Sequence, residues 1–396
     1  MGYGIVESTG MKCLPSNKLP LAKGNILHDW HAEVIAIRAF NRYLLDECAR
    51  ISSSPYPTSD FIQSRGAEES TLQQFTIRDD VLIHMYCSEA PCGDASMELT
   101  MAMQADATPW TSAPPTLQEA TLALPSQTQQ NLEAAAAALA SPSPTSEDSP
   151  SITEPSALRG RSNFSHLGVV RAKPSRPDAP PTLSKSCTDK LTLKQCTSLL
   201  SSSVSLLISP ENAYLTTLIL PNSQYIPSAI SRAFSPAGRL KNLSTDRWAS
   251  GYSFRPFEVK PTSREFDWCR RKLGEGEKAL PSNISAVWTP HWQETLIGGV
   301  LQGRKQMDPR GASRISRRGL WGEGVRVGGL LMERVRVAGL VSATAAAVTL
   351  LGSKKSTYDE MKHSEMLEAR RRVKNHAKTV LKGWIKNAGD DDWHLE

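Results

Sequence analysis

The sequence predicts an α/β chain interrupted by a low-complexity insert, and three observations predict it. Residues 31–50, HAEVIAIRAFNRYLLDECAR, space Val34, Ile35, Ala39, Leu44 and Leu45 roughly as one face of a helix requires. Apolar runs of strand length stand elsewhere, VLIHMYC at 81–87 and AYLTTLILP at 213–221. Between them, from about 105 to 160, lie SAPPTLQEA, QTQQ, five consecutive alanines and SPSPTSEDSP. Such composition buries too little apolar area to offset chain ordering, so the stretch reads as a disordered insert.

Each element follows in order. Asp29 stands where the first helix needs a cap, and Ser and Pro break the pattern over 51–59. Val81–Cys87 is expected as a buried strand, with Pro91-Cys92-Gly93-Asp94 turning into a second helix. Structure is expected to resume near 168. CTDKLTLKQCTSLLSSSVSLLI (187–208) reads as a helix, and AYLTTLILP, YSFRPFEVK (252–260) and NISAVWTP (283–290) as strands, before the basic GASRISRRGLW (311–321). Around 326–340 a small echo, VRVGGLL then VRVAGLV, suggests no fold, and 321–353 is set apart as an atypical insertion. Tyr358–Lys386 is expected as a basic helix, with eight Lys or Arg from Lys362 onward.

The bulk composition narrows the function classes. Hydrophobic residues make up 39% of the 396, enough for a sizeable core. The formal charge of +6, from 46 Lys and Arg against 40 Asp and Glu, permits an RNA or phosphate partner without requiring one. Seven cysteines at irregular spacing do not form a disulfide framework and fit a reducing compartment, cytoplasm or nucleus. No basic-then-apolar leader opens the chain, and no run of 18 apolar residues predicts a membrane span.

The chemistry-bearing motifs are His31-Ala32-Glu33 and Pro91-Cys92-Gly93. Hydrolytic deamination of a nucleobase uses zinc with three protein ligands, an open position for water, and a carboxylate that is not a ligand. His31 and Glu33 sit at a helix start. Cys92 sits before another, where free N–H groups favour a thiolate. The general signature, H-x-E then P-C-x-x-C, is broken here, because Ala95 occupies the second cysteine position. Cys87 falls within the strand pattern and is assigned to the core. Cys196 lies within the helical run, and Cys13, Cys48 and Cys269 lack a comparable setting. Cys187, in SKSCTDKL just before that run, is the best remaining third ligand. Taken separately, HAE and PCG recur by chance, and a structural zinc or no metal is the competing reading.

The strings TGMKCLP, HDWHAEVIAIRAF, YCSEAPCGDASM, SCTDKLTLKQC, NLSTDRWASGYSFRPFEVK and QGRKQMDPRGASRISRRGLW together carry a family resemblance. The chain resembles the tRNA-specific adenosine deaminases of fungi, which share one editase-domain family with the double-stranded RNA adenosine deaminases. The resemblance covers roughly 1–104, 165–325 and 354–388. It implies a deaminase-like central mixed sheet surrounded by helices, zinc on His31, Cys92 and Cys187, and Glu33 as proton shuttle. It also implies a buried inositol hexakisphosphate, lined by Lys12, Asp29, Arg38, Lys173, Lys190, Arg317, Tyr358, Lys362 and Lys386. Lys173 would link that polyanion to the metal neighbourhood, and Asp178 aligns with the residue that fills the vacated base position. The implied substrate is adenosine 37 of alanine tRNA, and no double-stranded RNA-binding domain is visible. Relatives usually carry a further N-terminal helix and strand, and differ from this chain at Ile37, Leu193 and Lys194. Two rival readings follow from these departures: an inactive RNA-binding or structural protein with a vestigial zinc site, and a deaminase of another RNA or of free nucleosides.

Overall fold

The structure is a computed structural model that describes residues 4–53, 58–65, 73–104, 158–160, 164–173, 179–243, 248–274, 276–277, 279–338 and 356–395. Asp178 and nearly all of the low-complexity stretch lie outside the described residues. The strands run in mixed directions, with helices around them. Strand β4 (His84–Tyr86) pairs in parallel with β7 (Thr217–Pro221), which pairs in parallel with β8 (Glu258–Thr262). A second ladder is antiparallel, in the order β1 (Glu7–Thr9), β9 (Ile284–Thr289), β10 (Trp292–Ile297) and β11 (Val300–Leu301). Two short pairs complete the set: β2 (Ile62–Ser64) with β3 (Phe75–Ile77), and β5 (Leu158–Arg159) with β6 (Arg171–Ala172).

The first helix, α1 (Ala32–Ser53), buries Ile35, Ala39, Leu44, Leu45, Cys48 and Ile51. Its amphipathic stripe faces two cores. Ile35 and Ala39 pack with Val287, Leu296 and Val300 of the antiparallel ladder. Leu44 to Ile51 pack with Ile77, Leu218 and Leu220 of the other strands. Asp29 does accept a backbone N–H at the helix entrance, that of His31, at 3.0 Å. The β10–β11 turn runs through Gly298 and Gly299, both at positive φ (61° and 83°), as tight hairpin turns require. A Cβ at Gly299 would stand 2.9 Å from the Leu27 carbonyl, so glycine lets this turn pack under the segment that leads to His31.

Several sequence expectations need correction. The strand expected over Val81–Cys87 is shorter and only half-buried, with Leu82 64% exposed. It is an edge strand, in which alternate residues turn outward. The helix beginning at Cys187, α3, stops at Thr197, because Ser198 turns left-handed at φ 57°. The echo around 326–340, expected to have no fold, falls largely within a helix, α5 (Arg317–Ala338). Its Trp321, Val327 and Leu331 enter the main core, which accounts for its spaced apolar residues. The basic helix expected from Tyr358 to Lys386 is two helices. The first, α6 (Tyr358–His363), carries a Thr357–Glu360 capping box, and the second, α7, spans Glu368–Val380. Two further short helices are α2 (Met97–Ala102) and α4 (Pro227–Phe234). Among the described residues no helix is long and apolar enough to cross a membrane.

Candidate metal and catalytic site

Three segments far apart in sequence meet at the entrances of two helices and in the loop that follows β4. His31 immediately precedes α1. Cys92 lies in the loop between β4 and α2, and Cys187 opens α3. The Nδ1 or Nε2 atom of His31 and the Sγ atoms of Cys92 and Cys187 all lie within 4.8 Å of one another. His31 Nδ1 stands 3.8 Å from Cys92 Sγ, and the Cys187 backbone N–H donates to that sulfur at 3.3 Å.

The loop holding Cys92 is zipped onto the start of α3. Ser186 caps α3, accepting from the Asp189 N–H at 3.1 Å. Thr188 donates its backbone N–H to the Cys92 carbonyl at 3.0 Å, and its hydroxyl to the Pro91 carbonyl at 2.9 Å. Gly93 makes this approach feasible. Its φ is 107°, and a Cβ there would fall 2.2 Å from Ser186 Oγ. On the far side of the loop, Arg232 clamps Asp94 at 3.1 Å and Glu98 at 2.7 Å.

Charge within the cluster is strongly organised. A hydrogen bond from Cys187, against the cost of burial, together with Lys173 and His31, holds Cys92 far toward its thiolate. Burial pushes the Cys187 thiol up, reinforced by Cys92 and Glu33. Burial and Lys173 press the His31 imidazole down, but Cys92 and Asp29 outweigh them and hold it at about 10. One sulfur thus ionises at the expense of the other. A divalent cation among these donors would let both ionise and hold the imidazole neutral, so the donor set fits zinc.

Behind the ligands lies a buried polar relay. Lys173 Nζ donates to Asp29 Oδ2 at 2.8 Å and to Cys187 Sγ at 3.2 Å. The same carboxylate oxygen accepts from Ser184 Oγ at 2.6 Å and pairs with Lys190. Burial opposes ionisation of Asp29, yet Lys173 and Lys190 hold its carboxyl well below the usual range. Glu33, two residues past His31, lines the same cleft as His31 and Cys92. Among the described residues nothing takes up its carboxylate by hydrogen bond or ion pair.

A second feature is an accumulation of cations between α1, α3, α5, α6 and α7. Arg38 donates to the Ile315 carbonyl at 2.6 Å, while among the described residues its buried Nη2 has no hydrogen-bond partner. Arg317 and Lys362 lie over the Tyr358 ring at 5.6 and 5.4 Å and reach Asp391 at 3.2 and 2.8 Å. Burial, then Arg370, Lys374 and Arg38, pushes the Lys194 amine well down. Burial, then Lys378, Arg370, Lys362 and Arg317, brings Lys374 to about 7. Three carboxylates, Asp29, Asp390 and Asp391, offset only part of this charge.

Of the residues expected around a polyanion, the structure places Arg38, Lys190, Arg317, Tyr358 and Lys362 here, with Asp29 and Lys173 between this cluster and the cysteines. Lys386 is exposed at its edge, beside Lys378. Lys12 is not brought there. It is exposed and lines the cleft that holds His31 and Glu33. Cys87 is a core residue, 9% exposed, as assigned. Cys13, set aside on its sequence setting, lies within 4.8 Å of donor atoms of Asp29 and His31. The sequence reading missed Ser184, Arg370, Lys374, Lys378, Asp390 and Asp391, and did not place Lys194 in this cluster. The spacing of 370, 374 and 378 was a visible signal, because like charges at i, i+4 repel unless something anionic faces them.

Residues 7–388 match the adenosine-deaminase (editase) domain. The chain is 31% identical to the Schizosaccharomyces pombe protein "tRNA-specific adenosine deaminase 1" over 392 residues, 98% of this chain and 83% of the relative. It is 31% identical over 216 residues to the Saccharomyces cerevisiae protein of the same name, 54% of this chain and 45% of that relative. A shorter similarity, 35% over 97 residues, joins it to the Mus musculus "Double-stranded RNA-specific adenosine deaminase", 24% of this chain and 8% of the relative.

Proposed function

The chain belongs to the adenosine-deaminase (editase) domain family, and from that premise we propose that it converts adenosine to inosine in tRNA, at position 37 of alanine tRNA. The observation that carries this reading is the convergence of His31, Cys92 and Cys187 within 4.8 Å, with Glu33 lining the same cleft. His31, Cys92 and Cys187 would hold zinc. A bound zinc supplies the Lewis acidity that makes water nucleophilic near neutral pH.

The net reaction adds water at C6 of the purine and expels ammonia, so protons must move as the C–O bond forms and the C–N bond breaks. Glu33 is the group for that work: its carboxylate accepts a proton from water, delivers it to purine N1, and then serves the departing amine. Lys173 and Asp29 position Cys187 and His31 rather than touch substrate. The base must leave its stack to enter the cleft, which costs least in a loop such as the anticodon loop.

The cation cluster supports a second assignment, a buried inositol hexakisphosphate. Cations that depress one another's protonation and an arginine Nη2 without a partner fit a polyanion better than water. Mass analysis of the supernatant after denaturing purified protein tests this, with roughly one equivalent of hexakisphosphate expected.

Incubating zinc-loaded protein with alanine tRNA and sequencing position 37 tests the activity. Inosine is expected there, and its absence would overturn the reading. The E33A variant should keep its zinc while losing about 10²–10⁴-fold in rate, the usual worth of a proton-transferring side chain.

A further inference from the structure

The segment after β8, residues 264–272 (REFDWCRRK), joins exposed aromatics to cations beside the cleft just described. Trp268 is 88% exposed and Phe266 48%, while Cys269 between the cations is 4% exposed and anchors the segment from below. Four cations stand against two carboxylates over these nine positions. Arg270 is exposed and, among the described residues, its side chain has no partner. Among the described residues the Lys272 side chain pairs only with exposed Asp267, at 2.7 Å, a surface pair of the kind that exchanges readily.

The segment is not a loose loop. Arg271 reaches Glu89 at 2.7 Å, the Ser88 carbonyl at 2.9 Å and Glu265 at 2.7 Å. Glu265 also accepts from Ser223 Oγ at 2.5 Å, and Tyr86 OH donates to the Arg264 carbonyl at 3.3 Å. The clamp therefore grips the stretch that leads directly to Cys92. Glu89 precedes Cys92 by three residues, which span at most about 11 Å when extended. Phe266, Trp268 and Arg270 line the same cleft as Glu33.

We propose that Arg264–Lys272 is an RNA-docking ridge, in which the Trp268 indole stacks on an unpaired base and Arg270 meets an adjoining phosphate. An exposed aromatic beside an available arginine is what single-stranded nucleic acid needs: a π-face for bases of any identity and positive charge for the backbone. A protein partner would favour an apolar patch with few charges at its centre, and a membrane would not tolerate Glu265 and Asp267 within the contact. The proposal rests on the RNA-deaminase reading, but its test separates the two.

The test uses the full zinc-loaded chain and a fluorescein-labelled anticodon stem–loop of alanine tRNA, with Kd from anisotropy and inosine measured independently. W268A is expected to raise Kd roughly 5- to 150-fold, the range for loss of one base–aromatic stack, with W268F retaining most of the affinity. Arg270→Ala should flatten the plot of log affinity against log salt by about 0.7, one single-strand phosphate contact. Cross-linking of 5-iodouridine-substituted RNA should map to residues 264–272. Unchanged Kd in W268A, with inosine still formed by the wild type, overturns the ridge and leaves the deaminase reading. Trp268-dependent binding without inosine from the wild type keeps the ridge and overturns that reading. A wild type that does not bind the RNA overturns both.

Discussion

Glu33 and Gly93 show two ways in which a single residue matters at this site. Among the described residues Glu33 has no hydrogen-bond or ion-pair partner, as a proton carrier requires, whereas Gly93 has no chemistry and acts through space. Its left-handed φ of 107° and the 2.2 Å that would separate a Cβ from Ser186 Oγ leave no room for any other residue. Gly93→Ala is expected to push the Cys92 loop off the α3 N-terminus and to cost about 1–3 kcal/mol from strain and overpacking. Chemical denaturation reads the stability loss, and metal analysis should show reduced zinc occupancy with α1 intact. Full zinc content in that variant would mean the loop is not what positions Cys92. Lys173 acts differently again. It is buried between Asp29 and Cys187, and no residue beside it in the sequence reveals that role.

Among the elements, α5 does more than its sequence suggests. Its first turns set Trp321, fully buried, against Tyr358 and Trp393, with ring centroids 5.8 and 5.4 Å away. Arg42 of α1 pairs with Glu323 of the same helix at 2.9 Å. The aromatic trio therefore joins α5 to α6 and the C-terminal segment, and so holds the Arg317 and Lys362 side chains that face Tyr358. Trp321→Ala removes a large side chain from a packed core and is expected to cost about 3–5 kcal/mol. Denaturant titration checks it. A loss under about 1 kcal/mol would show that α5 is peripheral to the fold.

At the scale of the whole molecule, the cation cluster is assembled from five helices and makes stability depend on pH. Burial and neighbouring cations bring Lys374 to about 7, below its ordinary 10.5. Between those values the unfolded chain binds the proton that the folded chain has released, so stability rises with pH across that window. Lys374→Met should flatten that part of the rise in the polyphosphate-free protein, measured as Tm from pH 7 to 10. If inositol hexakisphosphate binds this cluster as proposed, it would restore the charged amine, and adding it should raise Tm more near pH 7 than near pH 10. An equal gain at both would show that Lys374 does not face the polyanion.

The sequence by itself determined the local features: the start of α1 at His31-x-Glu33, the turn at Pro91-Cys92-Gly93, and the choice of Cys187 once Ala95 removed the compact alternative. These are written in periodicity, caps and turn residues within a few positions of one another. Element ends were less legible, because Ser198 after α3, and Ser364 just past His363 at the end of α6, leave the helical conformation in a way that neighbouring side chains do not encode. Only the tertiary structure decided that Cys187 meets Cys92 across 95 positions and Lys173 meets Asp29 across 144. It alone placed Lys12 on the wall of the cleft and brought Cys13 beside His31. Such meetings depend on how strands and helices pack, and packing energy is shared among residues too distant in the chain for any local pattern to record.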